Sequence, residues 1–167
     1  MCNPISIYAE QKLKAETELI SIFNNDPSRL LILRVFSILD WGMPPGTLGN
    51  IIEKIVDGGM HTVQNSQDVR DFLTPKTVAN VITSISENYN CYGIMNICSG
   101  TGISVRKATE KFFKLSGKSA SHLIFNEKKS SVPSIVGSNL KLLALNELEF
   151  KLSWELLNKP SYSKNEN

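Results

Sequence analysis

The sequence predicts an α/β fold, because apolar runs of strand length alternate with amphipathic runs of helical length. Two apolar runs, at 29–36 and 92–97, have the character of strands from a parallel sheet that is covered on both faces. Between them, apolar residues recur every three or four positions, which is the period of a helix. A parallel sheet needs several strands to bury a core, and only these two runs are central in character. We therefore expect part of a larger α/β fold.

The first half of the chain is predicted to begin with a long helix. Its apolar side chains are interleaved with Lys and Glu, and Pro27 marks the turn that ends it. A loop rich in Pro and Gly then separates the first strand from a short helix that closes at two glycines. The expected elements are a helix at 5–24, a strand at 29–36, a loop at 39–47, a helix at 48–59, and strands at 61–64 and 69–73.

The second half is predicted to continue the alternation. Pro75 stands in the first turn of a helix, where its missing N–H does no harm, and Ser104 is a predicted N-cap. The apolar residues of the stretch 107–115 recur at helical spacing, and Phe112 and Phe113 within it are predicted to be core residues. The expected elements are a helix at 75–88, a strand at 92–97, a helix ending near 115, a strand at 122–125, a loop at 126–137, helices at 138–145 and near 153–158, and a polar, frayed tail at 159–167.

Composition and charge narrow the classes of function. The 167 residues carry a formal net charge of +2 with acids and bases interleaved, so there is no electrostatic case for nucleic acid or an anionic membrane. Cys2, Cys91 and Cys98 form no C-x-x-C pair, which indicates a reduced, cytoplasmic setting. No signal-peptide pattern or bilayer-spanning run is present. His61 and His122 lack metal-ligand neighbours, so no metal site is expected.

Tyr8 and Lys12 lie four residues apart on the first predicted helix, and therefore one turn apart on one face. A phenol beside an ammonium is a pair that can exchange a proton with a substrate. The alternative interpretation is an ordinary amphipathic pair on a solvated helix.

The order of several segments resembles the NAD-dependent epimerase/dehydratase family of extended short-chain dehydrogenases/reductases. The resemblance spans roughly residues 3–157. It is carried by Tyr-x-x-x-Lys at 8–12, the following strand at 32–36, Arg-Asp-Phe within 69–73, the strand–turn–helix at 95–117 and the closing segment at 132–145. Within the family, 42–55 and 132–137 are similar to the GDP-mannose 4,6-dehydratase and GDP-6-deoxy-mannose reductase branch.

The resemblance implies roles at a cofactor site. Tyr8 would exchange a proton with the substrate, and Lys12 would hold the nicotinamide ribose of NAD or NADP. Phe36 corresponds to a residue that lies against the nicotinamide, although plain core packing is the alternative for this ring. The family binds its cofactor through a Gly-x-x-Gly-x-x-Gly loop, and this sequence contains no such loop. The resemblance therefore implies a partial Rossmann-type fold without the N-terminal nucleotide-binding half.

The resemblance also implies a site for a GDP- or UDP-linked sugar. Thr47 and Leu48 match positions that contact the substrate, and Arg70 matches an arginine that grips the diphosphate. A salt bridge from Arg70 to a neighbouring aspartate is the alternative. Lys128 stands where a second phosphate-binding arginine is common; lysine keeps the charge but loses the bidentate geometry.

A glycine pair at the turn 99–104 is predicted to be structural. Gly100 and Gly102 precede a helix, but Val105 occupies the position of the third glycine of a dinucleotide fingerprint. Other positions depart from the family: Ser37, Asp40 and Trp41 replace substrate-contacting and turn residues. Together these departures indicate relaxed constraint on the substrate site.

Three functions remain open at the level of the sequence. The chain is the C-terminal part of a sugar-nucleotide epimerase, dehydratase or reductase that is inactive alone, or it is a subunit completed in trans by a separate Rossmann-half polypeptide, or it is a non-catalytic module that binds a nucleotide sugar or a protein. The resemblance divides the chain into a Rossmann remnant at 1–46, a substrate-binding region at 47–158 with 75–98 returning to the Rossmann part, and the tail at 159–167. An incomplete sheet also predicts self-association.

Overall fold

The computed structural model describes residues 4–87, 91–115, 117 and 123–145. Its helices are α1 (Ile7–Ile22), α2 (Leu48–Val56), α3 (Pro75–Glu87), α4 (Val105–Leu115) and α5 (Leu140–Leu143), with a short 3₁₀ turn at Pro27–Arg29. Its strands are β1 (Leu31–Val35), β2 (Ser37–Ile38), β3 (Thr62–Val63), β4 (Val69–Arg70), β5 (Phe72–Leu73), β6 (Gly93–Ile97), β7 (Ile103–Ser104), β8 (Ile124–Phe125) and β9 (Ser134–Ile135). The α/β class is confirmed. Cys2, His122, the helix predicted near 153–158 and the tail at 159–167 lie outside the described residues.

The two predicted central strands pair with each other. β1 and β6 run parallel, in a register that places Leu31 opposite Gly93 and Val35 opposite Ile97. Parallel pairing needs a long crossover, and here the chain between the two strands provides it. The carboxyl ends of both strands therefore meet at one edge, where open α/β sheets generally bind their ligands.

The prediction of a single strand at 69–73 is wrong. The structure divides this segment at Asp71 into β4, in a three-stranded sheet of order β7-β4-β9, and β5, which pairs with β2. The predicted loop at 126–137 likewise contains β9, which pairs with β4 over two residues. A strand of two residues is too short to show an alternating pattern in the sequence. Whether it forms depends on a partner strand far along the chain.

Two clusters of buried side chains form the interior of the described chain. The α2–α4 core consists of Leu39, Ile52, Ile55, Val63, Ala108, Phe112 and Phe113. The sheet core consists of Leu73, Val78, Val81, Ile85, Met95, Ile97 and Leu142. The phenylalanine pair of α4 is thus in the core, as predicted.

Helix α1 lies against β1 and runs antiparallel to it. Ile20 and Phe23, near the end of the helix, share a groove with Leu30 and Ile32 at the start of the strand. Earlier in the helix, Glu16 pairs with Arg34, whose Nε lies 2.9 Å from a Glu16 carboxylate oxygen. The hydrogen bond and charge of Arg34 outweigh partial burial and lower the pKa of Glu16.

Strand β1, which is expected to be covered on both faces in a complete fold, is not buried in the described residues. Leu31 and Leu33 pack against the sheet core, but no residue of β1 or of α1 is buried. Val35 remains 40% exposed. Cover for both faces of a parallel strand normally comes from helices on each side, and α1 covers only part of one face. In the described residues no helix is long and apolar enough to cross a membrane.

Candidate functional site

The first two turns of α1 carry Tyr8 and Lys12. Ser6 caps the helix, since its hydroxyl oxygen accepts a hydrogen bond from the Ala9 N–H at 3.2 Å. The helical repeat then places Tyr8 and Lys12 on one face, with the Lys12 ammonium 5.7 Å from the centre of the Tyr8 ring. Tyr8 is 69% exposed, so its hydroxyl is open to an incoming molecule.

The antiparallel course of α1 brings this pair to the carboxyl end of β1. Lys12 precedes Glu16 by one turn, a rise of about 6 Å along the helix. Phe36 follows Arg34 by two residues, an advance of about 7 Å along an extended chain. Because Glu16 and Arg34 are in contact, Lys12 and Phe36 lie at about the same distance from that contact, both towards the carboxyl end of β1.

Phe36 marks the carboxyl edge of the β1–β6 sheet. Its N–H donates to the carbonyl of Ile97 at 3.0 Å and so extends the pairing by one residue. Its ring lies beside Gly137, where an added Cβ would be 2.7 Å from Phe36 Cζ and would overlap Cys98 Sγ. Burial, and then the Asp71 carboxylate, raise the pKa of Cys98, which a hydrogen bond from Gly100 only partly offsets.

Arg70 is held by a buried aspartate. Its guanidinium donates to a carboxylate oxygen of Asp68 at 2.8 Å and to the carbonyl of Val69 at 2.8 Å. Asp68 also accepts hydrogen bonds from the N–H and hydroxyl of Ser130. Burial by itself raises the pKa of Asp68, but the bonds from Ser130 and the charge of Arg70 outweigh it and hold this pKa below its usual range.

The loop that carries Lys128 is close to Arg70. The hydroxyl of Ser130, two residues after Lys128, lies 3.5 Å from the Arg70 guanidinium. The backbone N–H of Lys128 donates to the Asn126 side chain at 3.0 Å, and the Lys128 residue is exposed. The structure therefore brings a guanidinium and a lysine-bearing loop to one part of the surface.

Thr47 and Leu48 have structural partners. The Thr47 hydroxyl caps α2 by accepting from the Asn50 N–H at 3.4 Å, and it donates to the carbonyl of Pro44 at 2.7 Å. Leu48 packs against the α2–α4 core. Contact with a substrate at these two positions stays a prediction.

The glycine turn after β6 is tied to Asp71. One oxygen of this fully buried carboxylate accepts from the Ser99 N–H at 2.8 Å and hydroxyl at 2.6 Å, and the other accepts from the Gly100 N–H at 2.9 Å. These are the donors that a bound phosphate would use. A carboxylate already takes them, which supports the structural interpretation of the turn.

A cleft of about 560 Å³ opens beside this turn. It is lined by Val69, Phe72, Ser99, residues 101–104 and Lys107. Neighbouring residues of a strand point to opposite faces, so Val69 in the cleft and the side chain of Arg70 lie on different sides of β4. The cleft and the Arg70 guanidinium therefore form two separate features.

The sequence interpretation missed the organising role of the two aspartates. It treated Asp68 and Asp71 only as salt-bridge partners for Arg70, whereas Asp71 binds backbone and hydroxyl donors. The available signal was the pattern Asp-Val-Arg-Asp between apolar residues, since charged groups there must be paired. Within the described part of the chain, no group of three metal-ligating side chains comes together.

Neither a protein-family model nor a curated protein sequence matches the chain. Solved structures do match. A Pseudomonas aeruginosa protein named RMD, in complex with NADPH, matches with a TM-score of 0.73 and 19% identity, over 86% of this chain and 50% of that chain. The dTDP-glucose 4,6-dehydratase of Bacillus anthracis, in complex with NAD, matches with a TM-score of 0.80 and 14% identity, over 94% of this chain and 51% of that one.

A third solved structure that matches the chain has the same fold. The UDP-glucose 4-epimerase of Thermus thermophilus, in complex with NAD, has a TM-score of 0.71 and 21% identity, over 89% of this chain and 51% of that chain. The chain has the fold of about half of such an enzyme. It spans about half the length of the solved structures it matches. Identities of 14 to 21% show a shared fold, and chemistry must be argued from this chain's own residues.

Proposed function

We propose that this chain supplies the acid/base helix and the sugar-nucleotide-binding part of an NAD(P)-dependent epimerase, dehydratase or reductase. The reaction requires a nucleotide-binding unit that the described residues do not contain. In this proposal the chain corresponds to the C-terminal portion of such an enzyme and is inactive alone. Its similarity to the GDP-mannose 4,6-dehydratase and GDP-6-deoxy-mannose reductase branch makes a GDP-linked sugar the first substrate to test.

The placement of Tyr8 and Lys12 carries the proposal. The pair shares one exposed face of α1, and α1 runs antiparallel to β1, so the pair lies toward the carboxyl edge that Phe36 marks. A solvated helix pair with no chemical role could lie anywhere along the helix. Its position beside the ligand-binding edge of a parallel sheet favours a role in chemistry.

Each residue then has a defined task. The Tyr8 hydroxyl passes a proton to or from a substrate hydroxyl or carbonyl, and the Lys12 ammonium supplies positive charge beside it. Arg70, oriented by Asp68, binds the diphosphate through its planar guanidinium. Lys128 adds charge from the neighbouring loop. Lys12 and Phe36 would face the nicotinamide end of a cofactor held by the completing unit, and that cofactor would supply hydride transfer.

This chain by itself does not fit a dinucleotide. The sequence has no Gly-x-x-Gly-x-x-Gly loop, and the N–H donors of Ser99 and Gly100 are taken by Asp71. Among the residues that the structure describes, the groups that would meet a cofactor are Lys12 and Phe36, both on the nicotinamide side. A separate Rossmann-half polypeptide that assembles in trans is therefore the partner we propose. A module that binds a nucleotide sugar without catalysis is the second candidate, favoured by the position of the Arg70 guanidinium beside the loop of Lys128, which requires no cofactor.

Isothermal titration of the full chain with GDP-mannose, UDP-glucose, NAD and NADP tests the proposal. We expect a nucleotide sugar to bind, and NAD and NADP to give no measurable heat. Arg70→Ala should weaken sugar-nucleotide binding at least about tenfold, because a charge-assisted hydrogen bond is lost. Arg70→Lys should weaken it less. Tyr8→Phe is the matched control, since this change leaves the phosphate contacts intact.

Several outcomes would contradict the proposal. Micromolar binding of NAD by the chain alone would show that it holds a dinucleotide without a partner. Sugar-nucleotide binding that is insensitive to Arg70→Ala would remove the diphosphate role. If the nucleotide sugar binds but an added Rossmann-half polypeptide restores no turnover, the non-catalytic module becomes the better account.

A further inference from the structure

Asp71 is a buried carboxylate that none of these roles uses. Besides the three donors of Ser99 and Gly100, it accepts the Gly137 N–H at 3.3 Å. Ser99 and Gly100 follow β6, Gly137 precedes α5, and Asp71 itself joins β4 to β5. One carboxylate therefore connects three segments that are far apart in the sequence.

Each connected segment borders a group of the candidate site. Arg70 immediately precedes Asp71 in the chain. Gly137 lies against the ring of Phe36 and against Cys98 so closely that no side chain fits there. The Ser99 turn is the carboxyl end of β6. The position of Phe36 is thus linked through Gly137 and Asp71 to the strand of Arg70.

We propose that Asp71 is a positioning residue that holds the Phe36 edge of the β1–β6 sheet in fixed relation to the strand of Arg70. A charged acceptor suits this task, because its hydrogen bonds are stronger than those of a neutral one. Asparagine cannot replace it, since its amide nitrogen would face an N–H of the Ser99 turn or of Gly137. We call the Asp71 carboxylate and the Ser99, Gly100 and Gly137 donors that it binds the joint. Its role in catalysis rests on the proposed function, whereas its existence rests on the hydrogen bonds alone.

The two described cysteines provide a local test on the full chain. Cys98 directly follows β6 at the joint, and Cys91 lies two residues before the same strand, at its far end. Iodoacetamide labelling followed by peptide mass spectrometry measures both in one sample. We expect Asp71→Asn to speed labelling of Cys98 about tenfold, as a local opening, and to change Cys91 by less than about twofold.

Labelling over a range of pH separates access from reactivity. Asp71 is the titratable group that the structure places electrostatically against Cys98, so its neutralisation also makes the thiol more acidic. A change in acidity moves the midpoint of the pH profile. A change in access raises the plateau rate at high pH, and this plateau is the quantity that we expect to rise.

Asp68→Asn is the matched control, because it neutralises the other buried aspartate and leaves the Ser99 turn untouched. It should not change the Cys98 plateau. If Asp71→Asn does not fold, Ser99→Ala removes the hydroxyl donor to Asp71, together with the contacts of that hydroxyl to the Thr101 backbone, and should produce a smaller increase that is still selective for Cys98. Equal acceleration of both cysteines, or an unchanged plateau in the variant that folds, would overturn the proposal.

The outcome is separable from that of the proposed function. Selective opening at Cys98 without sugar-nucleotide binding by the unmodified chain would leave the joint in place and remove its catalytic meaning. Sugar-nucleotide binding with no selective opening would leave the function and remove the joint.

Discussion

The α2–α4 core and the α1–β1 face, which comprises α1 together with β1, differ strongly in burial. In the α2–α4 core, Ile52 and Phe112 are completely buried, and Trp41 packs on Phe112 with ring centroids 4.1 Å apart. On the α1–β1 face no residue is buried, and Ile22 is 71% exposed.

The difference shows that, among the described residues, the α2–α4 core is fully covered and the α1–β1 face is not. The amphipathic helices α2 and α4 cover each other in the α2–α4 core, and Leu39 and Val63 complete it. A parallel strand needs cover on two faces and neighbours at two edges, and α1 with β6 provides only part of that. The unfinished region is also the one that carries Tyr8 and Lys12, which agrees with a site completed by another unit.

The largest expected effect is the loss of a large side chain from the α2–α4 core. Phe112→Ala should lower the free energy of unfolding by about 3–5 kcal/mol, since it leaves a cavity in a packed interior. Ile22→Ala on the α1–β1 face is the control and should change it by less than about 0.5 kcal/mol. Urea denaturation measures both. Equal losses would mean that the two regions are equally well packed.

A smaller effect concerns the buried charge beside β4. The folded pKa of Asp68 is below its ordinary value of 3.8, so its stabilising effect is present above that pH and is lost as the pH falls through the folded pKa. Asp68→Asn should cost about 2 kcal/mol at neutral pH, because hydrogen bonds to a charged group are lost, and it should flatten the acid limb of the stability curve. Exposed Asp57, changed to Asn, is the control. Thermal melts from pH 7 to pH 3 measure the stability of both variants. An unchanged acid limb for Asp68→Asn would be inconsistent with this role.

Self-association should depend on the α1–β1 face. We expect the chain to associate at low micromolar concentration, and Ile22→Lys to weaken association about tenfold, since one apolar contact is lost. Met60→Lys, at a residue 77% exposed outside this face, should have no effect. Analytical ultracentrifugation measures this. A monodisperse monomer with a sharp thermal unfolding transition at about 60 °C would show that the chain has closed its own core.

The smallest expected effect is at the acid/base pair. Tyr8→Phe and Lys12→Met should each change the free energy of unfolding by less than about 0.5 kcal/mol, because both side chains are exposed. Urea denaturation of the full chain provides the measurement. A loss above about 1 kcal/mol would indicate a structural role for the pair and weaken the case for a chemical one.

The sequence by itself determined the features that depend on local periodicity. The helical repeat places Tyr8 and Lys12 on one face, and the apolar periodicity of the stretch 107–115 predicts the burial of Phe112 and Phe113. The two apolar runs predicted the strands that pair as β1 and β6. For each of these, the information lies within a few residues of the feature.

Only the tertiary structure decided the rest, because it depends on partners far along the chain. The Asp71 carboxylate takes its donors from residues 28, 29 and 66 positions away. The break of 69–73 at Asp71 follows from strands that pair in different sheets. The level of Lys12 relative to Phe36 is set by the contact of Glu16 with Arg34, 18 positions apart. No local pattern encodes such contacts, since each becomes favourable only when the chain has folded to bring both groups out of water together.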